Sequence, residues 1–598
     1  MKLLKNIMIG LLAVNLLGAC SNYLDQVPDD RLTLEDIFKT RTNTERYLAM
    51  VYYRLPNEAR QRFVATENAG PWTAASDEGK YNWDFNYANN INFSTWNPTN
   101  SQVSNIWNNF YRGIRDASYF IEQIDDATEE LSPAMKAQYK AEARALRAIF
   151  YYNLVRIYGP VIILYDMLPP DAPLADEQIP RSPLDDCIAY ITQELEMAAA
   201  NLSVTPINAE YGRVTRGAAL AYRAQALLLA ASPLYNGNTD LAGFRNKDGT
   251  QLVSQSYDPA KWQIAADAAK EFIDEFVPNT YDLYRENGPS GYDPYLSTRN
   301  VMTVDWNKEW IYARANSQNN TQYDRTPYHA GAPTEIRGGG ALGVTQKMVD
   351  AYFTANGRSI DDPASGYLRD GFSEFQAPFD TRPRRTYNQW VNREPRFYVG
   401  VTYNNSLWLN QPNADREYLT VMEFSGNSGR INSDSDVTPT GYIIRKNVHI
   451  NGNDRGFVYI RLANVYLDYV EALNEYQPDH PDILTYLNLI RERAGIPAYG
   501  TEGLPVPSGQ SAMRQAIRKE RQVELAFENV RYFDIRRWKI AEQEMSGPFY
   551  GMNLAANGEA FYERTQLEVR RFNQRDYFFP IPHDETLINL ELVQNPGW

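Results

Sequence analysis

Cysteine and histidine are scarce in this chain. Of its 598 residues, two are cysteines and four are histidines. The histidines stand far apart, and none forms the His-x-His or His-Glu-x-x-His spacing that binds a catalytic metal. A Gly-x-Ser-x-Gly nucleophile elbow is also absent from the sequence. The motifs therefore give no support to a metallohydrolase or a serine hydrolase.

Concentrated positive charge and long apolar runs are missing as well. The formal net charge is −15, and no segment resembles a basic arm, so nucleic acid is not an expected partner. No apolar run reaches the roughly 20 residues that a membrane-spanning helix needs. Tyrosine, in contrast, is abundant at 42 copies, with 11 tryptophans. These amphipathic rings are typical of surfaces that meet partners or sugars.

The N-terminus has the order of a lipoprotein signal peptide. Lys2 and Lys5 form its positive end, Ile7–Leu17 is apolar, and Leu17-Gly18-Ala19-Cys20 looks like a bacterial lipobox. We expect cleavage before Cys20 and acyl chains on that cysteine, because two or more chains make membrane anchoring stable. An ordinary secretory signal with an incidental cysteine is the alternative. A lipidated Cys20 leaves Cys187 without a disulfide partner, and the sequence around Cys187 predicts a core position.

Apolar residues at helical spacing predict a mainly α-helical scaffold. Ser132-Pro133, Ser182-Pro183 and Thr215 are start signals. Predicted helices cover about 44–55, 103–114, 133–158, 183–202, 215–231, 259–276, 462–475 and 482–494. From about 277 to 456 helix signals are sparse, which favours a loop-rich elaboration on that scaffold.

The segment Arg518–Trp538 alternates charged side chains with aromatic and aliphatic ones. Neither a solvated helix nor an apolar core helix suits this mixture. We predict two short helices whose ion pairs are partly buried. Asn529 falls where the first should stop, since asparagine tolerates the left-handed cap conformation second only to glycine.

Four motifs, which follow one another along the chain in the family's order, resemble the SusD/RagB family, the surface nutrient-binding lipoproteins of Bacteroidetes. The first is Glu520-Arg521, Glu524-Leu525, Glu528-Asn529-Val530-Arg531, Asp534 and Arg537-Trp538, with Asn529 where the family usually has glycine. The others are EARALRAIFYYNLVRIYGPV (142–161), RLANVYLDYVEALNE with YLNLIRERAGIP (461–475 and 486–497), and PIPHDETLINLELVQNPGW (580–598).

The resemblance implies a fold and a domain plan. The fold would be mainly α, with tetratricopeptide-like helix pairs forming a superhelical scaffold and a large loop-rich insertion. Residues 1–19 would be the signal peptide, 20–40 a lipidated tether and 41–598 a single SusD-like domain. Within that domain the helical scaffold would cover about 41–276 and 457–545, and the elaboration about 277–456.

The resemblance also implies a function. The protein would be a non-catalytic glycan-binding lipoprotein, anchored in the outer membrane and facing the cell exterior. It would capture an oligo- or polysaccharide and deliver it to a SusC-like TonB-dependent transporter. RagB-like members of the family imply the alternative of oligopeptide cargo.

Two aromatic, polar stretches are the candidate glycan site. Sugar rings lie on tryptophan and tyrosine faces while their hydroxyls need polar partners. The candidate residues are Trp72, Asp77, Glu78, Tyr81, Trp83, Trp96, Asn97 and Asn100 in the first stretch, and Tyr292, Tyr295, Trp306 and Trp310 in the second. Packing in the core is the alternative for each tryptophan, and the helical spacing around Trp107 predicts a core position there.

A lipid-anchored all-helical glycosidase is the enzyme alternative. A retaining glycosidase needs only two carboxylates about 5 Å apart, and Asp77-Glu78 is the most suggestive pair. No cofactor is expected. Residues 451–456 imitate a calcium loop, but Arg455 occupies a ligand position, which leaves a structural calcium without support from the sequence.

Overall fold

The computed structural model describes residues 34–62, 70–169, 171–206, 210–315, 317, 321–329, 337–409, 418–449 and 455–598. The predicted signal peptide, Cys20 and most of the tether lie outside these residues, as do positions 451–454 of the calcium-like loop. Within the described ranges, no helix combines the length and the apolar character that crossing a membrane requires.

Long helices form most of the regular structure. They are α1 (Arg41–Tyr53), α2 (Ser101–Gln123), α3 (Pro133–Tyr158), α4 (Leu184–Ala199), α5 (Arg216–Ala231), α6 (Ala260–Phe276), α7 (Leu462–Tyr476), α8 (Pro481–Arg493), α9 (Gly509–Glu524) and α10 (Arg531–Arg537). Shorter α-helices span Tyr87–Asn92, Pro294–Asn300, Thr321–Arg325, Gln346–Ala351, Pro395–Gly400, Ala541–Met545 and His583–Ile588. The 3-10 turns are Leu34–Lys39, Ile124–Asp126, Thr239–Leu241, Pro363–Ser365, Asn388–Trp390, Gly558–Tyr562 and Gln574–Tyr577.

Side-chain caps set the helix starts that the sequence predicted. Ser132 accepts a hydrogen bond from the backbone N–H of Met135 and precedes a first-turn proline. Thr215 accepts one from Ala218 at the start of α5. The start of α4 differs slightly from the prediction, because Pro183 occupies the N-cap position and Ser182 does not cap the helix.

Helix pairs build the scaffold. Each helix from α2 to α6 packs against the next one, and α7 packs against α6, α8 and α9. The mainly α-helical prediction is confirmed. Because α6 and α7 are neighbours in space, the segment between them leaves the scaffold and returns to the same place.

The strands are short and pair antiparallel in twos. The pairs are Gly79–Tyr81 with Leu342–Val344, Asn287–Gly288 with Gly291–Tyr292, Trp310–Arg314 with Phe457–Arg461, Phe372–Phe375 with Arg384–Tyr387, Val401–Thr402 with Ile443–Ile444, Ser406–Leu407 with Leu419–Thr420, and Gly547–Met552 with Arg564–Arg570. The pair Gly79–Tyr81 and Leu342–Val344 joins the N-terminal part of the chain to the elaboration.

One hydrophobic core joins the N-terminal helices to the C-terminal segment. It extends along the chain from Val51 to Leu592. Cys187 and Trp107 lie inside it, as predicted.

A network of buried arginine and glutamate side chains surrounds the C-terminal end of α9. Arg461 donates to Glu309 at 2.6 Å, to Glu524 at 2.8 Å and to Glu528 at 2.8 and 2.9 Å. The predicted buried ion pairs are therefore present. Three details differ. α9 begins already at Gly509, it ends at Glu524 and so before Asn529, and most of the ion-pair partners belong to other segments. A carboxylate of α9 can face several guanidinium groups because the helix packs into the middle of the molecule.

Candidate functional site

The structure places most of the first predicted stretch in the core. Trp72, Asp77, Glu78, Tyr81 and Trp96 are all buried. Trp72 stacks on Tyr532 with ring centroids 5.0 Å apart, and Trp96 packs against Phe579 at 4.1 Å and Trp598 at 5.0 Å. A ring enclosed by other rings offers no face to a ligand, so Trp72 and Trp96 are removed from the candidate site.

The acidic pair Asp77-Glu78 is part of the buried framework. The Asp77 carboxylate accepts two hydrogen bonds of 2.9 Å from Arg531. Burial alone would raise the pKa of Asp77, but Arg531 and Lys347 hold it below its usual value. Burial and the neighbouring Asp77 charge raise the pKa of Glu78 to about 8, and Glu78 accepts from the Phe527 N–H at 3.2 Å. Both side chains are enclosed and engaged, so neither is retained as a sugar contact.

Asn97 and Asn100 are at the surface and shape a turn before α2. The Asn97 side-chain oxygen accepts from the N–H and the hydroxyl of Thr99, at 2.9 and 2.7 Å. The Asn100 side-chain oxygen accepts from the Asn97 N–H at 2.7 Å. Their amide oxygens are therefore committed to the local turn.

The four candidate residues of the second stretch lie in different surroundings. Tyr295 and Trp310 are buried. The exposed ring of Tyr292 is held by its hydroxyl, which donates to the Arg493 carbonyl at 2.5 Å. Trp306 is half-buried and stacks on the exposed Tyr211, with centroids 5.1 Å apart. The structure therefore does not assemble these four residues into one surface.

Trp83 is the residue of the first predicted stretch that belongs to an aromatic surface. Its ring stacks on Phe85 at 5.6 Å with planes 13° apart, and on Tyr323 at 6.3 Å with planes 19° apart. We call Trp83, Phe85 and Tyr323 the aromatic platform. Trp83 itself is 8% exposed, whereas Phe85 is 71% exposed and Tyr323 is half-buried. The platform therefore offers ring surface to solvent mainly through Phe85.

Tyr81, Trp83 and Phe85 follow one another at every second position, although only Tyr81 lies in a strand and Phe85 lies in a turn. Tyr81 ends the strand Gly79–Tyr81 and stacks on Trp83 at 5.7 Å. The buried Tyr81 thus packs against the platform from the protein interior. Its hydroxyl donates to Asp324 at 2.8 Å.

Charged groups surround the platform. The Arg62 guanidinium lies 4.5 Å from the centre of the Trp83 ring. Asp436 accepts from the indole N–H of Trp83 at 3.2 Å and pairs with Arg337 at 3.0 Å. Arg337 is about half exposed. An acidic and a basic group therefore lie next to the Trp83 side of the platform.

Sequence reasoning missed Phe85, Tyr323, Arg337 and Asp436. The alternation Tyr81, Trp83, Phe85 could have identified Phe85. The other three stand more than 200 residues away in the chain, and no local pattern connects them to Trp83.

Metal binding finds no support in the described part of the chain. No group of three or more histidine, cysteine, aspartate or glutamate side chains there is arranged to hold a metal ion. Burial lowers the pKa of His329 to about 4. Its ring nitrogen Nδ1 lies 2.7 Å from the Ser428 hydroxyl.

Comparison with known proteins points to one family. Residues 306–598 match the family model described as the SusD family, and residues 22–228 match one described as starch-binding associating with outer membrane. A SusD-like protein from Bacteroides ovatus is 24% identical to this chain over 529 residues. The aligned part is 88% of this chain and 80% of that protein.

Solved structures share the fold. A SusD-like protein from Bacteroides fragilis superimposes with a TM-score of 0.72 at 23% identity, covering 95% of this chain and 99% of that one. A SusD-like carbohydrate binding protein from the same species gives a TM-score of 0.68 at 20% identity, covering 93% and 100%. The likeness extends over nearly the whole of each chain.

Proposed function

This chain belongs to the SusD/RagB family, and we propose that it captures glycans on the aromatic platform without cleaving them. The observation that carries the proposal is the stack of Trp83, Phe85 and Tyr323. Phe85 is displayed to solvent, and Asp436, which pairs with Arg337, contacts Trp83. An aromatic face accepts the C–H face of a sugar ring, and the two charged groups offer hydrogen bonds to hydroxyls.

The proposal includes a place and a partner. The lipobox at Cys20 and the family description as starch-binding associating with outer membrane support a lipid anchor in that membrane. We propose that the protein faces the cell exterior there and passes its cargo to a SusC-like TonB-dependent transporter. The name of the Bacteroides fragilis neighbour, a carbohydrate binding protein, supports glycan as the cargo.

Replacement of Phe85 by alanine tests the platform. The side chain is mostly exposed, so its loss should leave the fold intact while removing ring surface. An aromatic contact with a ligand is worth about 0.5–1.5 kcal/mol beyond its buried area, so we expect affinity for an oligosaccharide to fall about tenfold or more. Calorimetric titration with an oligosaccharide retained on a glycan array measures this.

A matched control is Tyr257→Ala, since Tyr257 is also a well-exposed aromatic residue. This variant should bind like the wild type. Equal affinity of the wild type and Phe85→Ala would remove the platform from the proposal.

Two further measurements separate the alternatives. Titration with short peptides would favour the RagB-like reading if peptides bound and oligosaccharides did not. Incubation with polysaccharides, followed by assay of new reducing ends, should show no release above background. Release would contradict the non-catalytic proposal.

A further inference from the structure

A cavity of about 590 Å³ lies beside α9, and five cationic and four acidic side chains line it. Gln515, Arg518, Lys519 and Gln522 line it from one side of the helix, because residues three, four and seven apart share a face. Phe353 and Arg358 line it from the elaboration, and Tyr499 and Trp538 complete the wall. We call this cavity the basic pocket.

Two neighbouring cations of the basic pocket have no acidic partner. Within the described residues, neither Arg518 nor Lys519 forms an ion pair or a side-chain hydrogen bond. The Arg518 guanidinium lies over the Trp538 ring at 4.7 Å, and its Nε is buried without an acceptor among those residues. The Lys519 ammonium lies 6.0 Å from the centre of the Phe353 ring. Both cations therefore rest against aromatic rings and not against carboxylates.

The other cations of the wall are paired. Lys347 lies 3.3 Å from Asp77 and also contacts Glu544. Arg531 pairs with Asp77 at 2.9 Å, and Arg358 pairs with Asp362. These acids are thus already neutralised, and the uncompensated charge of the pocket belongs to Arg518 and Lys519.

The acids near Arg518 and Lys519 have other cationic partners. Glu471 and Glu475 attract Arg518 but pair with Arg537 and Arg514, and Glu394 attracts Lys519 but pairs with Arg396. Asp350 is bound by Arg564, with two contacts of 2.8 Å. Asp361 is exposed and attracts Lys519 without forming an ion pair with it. Burial and, to a smaller extent, the Arg393 charge lower the pKa of Lys519 to about 8. A half-buried cation without a partner is costly, so a bound anion would stabilise it.

We propose that the basic pocket is a second ligand site, which binds the carboxylate of an acidic monosaccharide unit such as a uronate. The pair Arg518 and Lys519 would hold the carboxylate with charge-assisted hydrogen bonds. Gln515 and Gln522 stand one helical turn to either side and would meet the sugar hydroxyls. The site is independent of the aromatic platform and shares none of its residues.

Calorimetric titration of the full chain with sodium D-glucuronate tests the proposal, with D-glucose and sodium sulfate as parallel titrants. We expect glucuronate to bind and glucose to bind at least about tenfold more weakly, since glucose lacks the charge-assisted hydrogen bond, which is worth roughly that factor. Sulfate should also bind more weakly than glucuronate, because it has no sugar hydroxyls for Gln515 and Gln522. Binding should weaken as sodium chloride is added. Glucose binding as tightly as glucuronate would overturn the anion assignment, and sulfate doing so would overturn the saccharide assignment.

Variants of the same residues sharpen the test. Lys519→Met keeps a side chain of similar length and removes the unpaired charge, so the variant should fold normally. Its affinity for glucuronate should fall about tenfold or more. Lys519→Arg keeps the charge and should keep most of the affinity. Asp361→Asn removes a competing acid and should tighten binding. Unchanged binding by Lys519→Met would overturn the proposal.

Phe85→Ala separates this site from the proposed platform. It should leave glucuronate binding at the basic pocket unchanged, while Lys519→Met should leave neutral oligosaccharide binding unchanged. Loss of glucuronate binding in Phe85→Ala would assign that binding to the platform and contradict a second site.

Discussion

Asn529 shows how one residue serves both the backbone and the packing. Its φ of 65° is left-handed, as the sequence predicted. The predicted position was wrong, because α9 ends at Glu524 and Asn529 lies in the turn between α9 and α10. Its side chain also accepts from Gln61 at 2.9 Å and Thr73 at 2.8 Å, and it donates to the Glu58 carbonyl at 3.0 Å. The departure from the family's usual glycine thus has a structural use.

Asn529→Gly should destabilise this protein although glycine prefers the same φ. The replacement keeps the backbone conformation and leaves buried partners unsatisfied, which costs about 1–3 kcal/mol. Asn529→Ala should cost about 1 kcal/mol more because alanine disfavours a positive φ. Urea unfolding of both variants measures these values, and a glycine variant as stable as the wild type would show that the side-chain bonds contribute nothing.

Glu78 should make stability depend on pH. Its pKa is raised from 4.5 to about 8 in the fold, so its protonated form contributes fully below about pH 4.5 and the contribution is lost as pH rises toward 8. The loss is up to about 1.4 kcal/mol per pH unit in this window. Glu78→Gln imitates the protonated form and does not titrate. The difference in free energy of unfolding between this variant and the wild type should therefore grow in favour of the variant as pH rises from 5 to 8.

Urea unfolding at pH 5, 6.5 and 8 measures this difference. Glu559→Gln is the control, since that side chain is 84% exposed and should show no such trend. A difference between Glu78→Gln and the wild type that stays constant with pH would contradict the assignment.

At the residue scale, composition could identify the aromatic stretch but not which rings face solvent. Trp72 and Trp83 stand 11 positions apart in similar surroundings. Trp72 packs against Tyr532, Phe533 and Phe579, which are more than 450 residues away in the chain. Only such long-range contacts decide that Trp72 is buried and that Phe85 is exposed.

At the scale of elements, α9 acts as the centre of the buried ion network. Glu524 near its end faces Arg396, Arg461 and Arg493. The Glu524 pKa is held well below its usual value: burial opposes this shift, and the surrounding guanidinium groups outweigh it. The helix is thereby bound to α8, to the segment before α7 and to the elaboration.

Arg461→Met should destabilise the protein strongly. Arg461 is fully buried among Glu309, Glu524 and Glu528, and removing one partner of a buried ion pair costs about 3–5 kcal/mol. The control is Lys270→Met, which breaks the exposed pair with Asp274 on α6 and should cost less than about 1 kcal/mol. Guanidinium unfolding measures both, and equal effects would mean that the buried network adds no stability.

Sequence patterns predict where helices begin better than they predict which distant side chains the helices contact. Caps such as Ser132 and Thr215 are local signals, and the structure confirms them. The partners of Arg461 lie 63 to 152 positions away. The mixture of charged and apolar residues in Arg518–Trp538 could predict buried ion pairs. It could not predict which arginines elsewhere in the chain pair with its carboxylates.

At the scale of the whole molecule, the elaboration interrupts the scaffold without separating its halves. Strand Phe457–Arg461 runs directly into α7 and pairs with Trp310–Arg314, and α7 returns to α6. The periodicity of the helices could predict the scaffold. The path of residues 277–456 could not be predicted, because two of its strands, Trp310–Arg314 and Leu342–Val344, pair with strands more than 140 positions away in the chain.

Cys20→Ser should release the protein from the membrane. The proposed anchor depends on acyl chains at this position, and a chain without them has lost the stable attachment that two or more provide. Cell fractionation should find the wild type with the outer membrane and the variant in the soluble fraction. Membrane retention of the variant would require a different anchor.

The most direct test of glycan capture on the aromatic platform is a crystal structure of the wild type with an array-selected oligosaccharide. We predict an intact saccharide with one ring lying on Phe85 and hydroxyls directed toward Arg337 and Asp436. A shortened saccharide, or one bound elsewhere with the platform empty, would contradict this account.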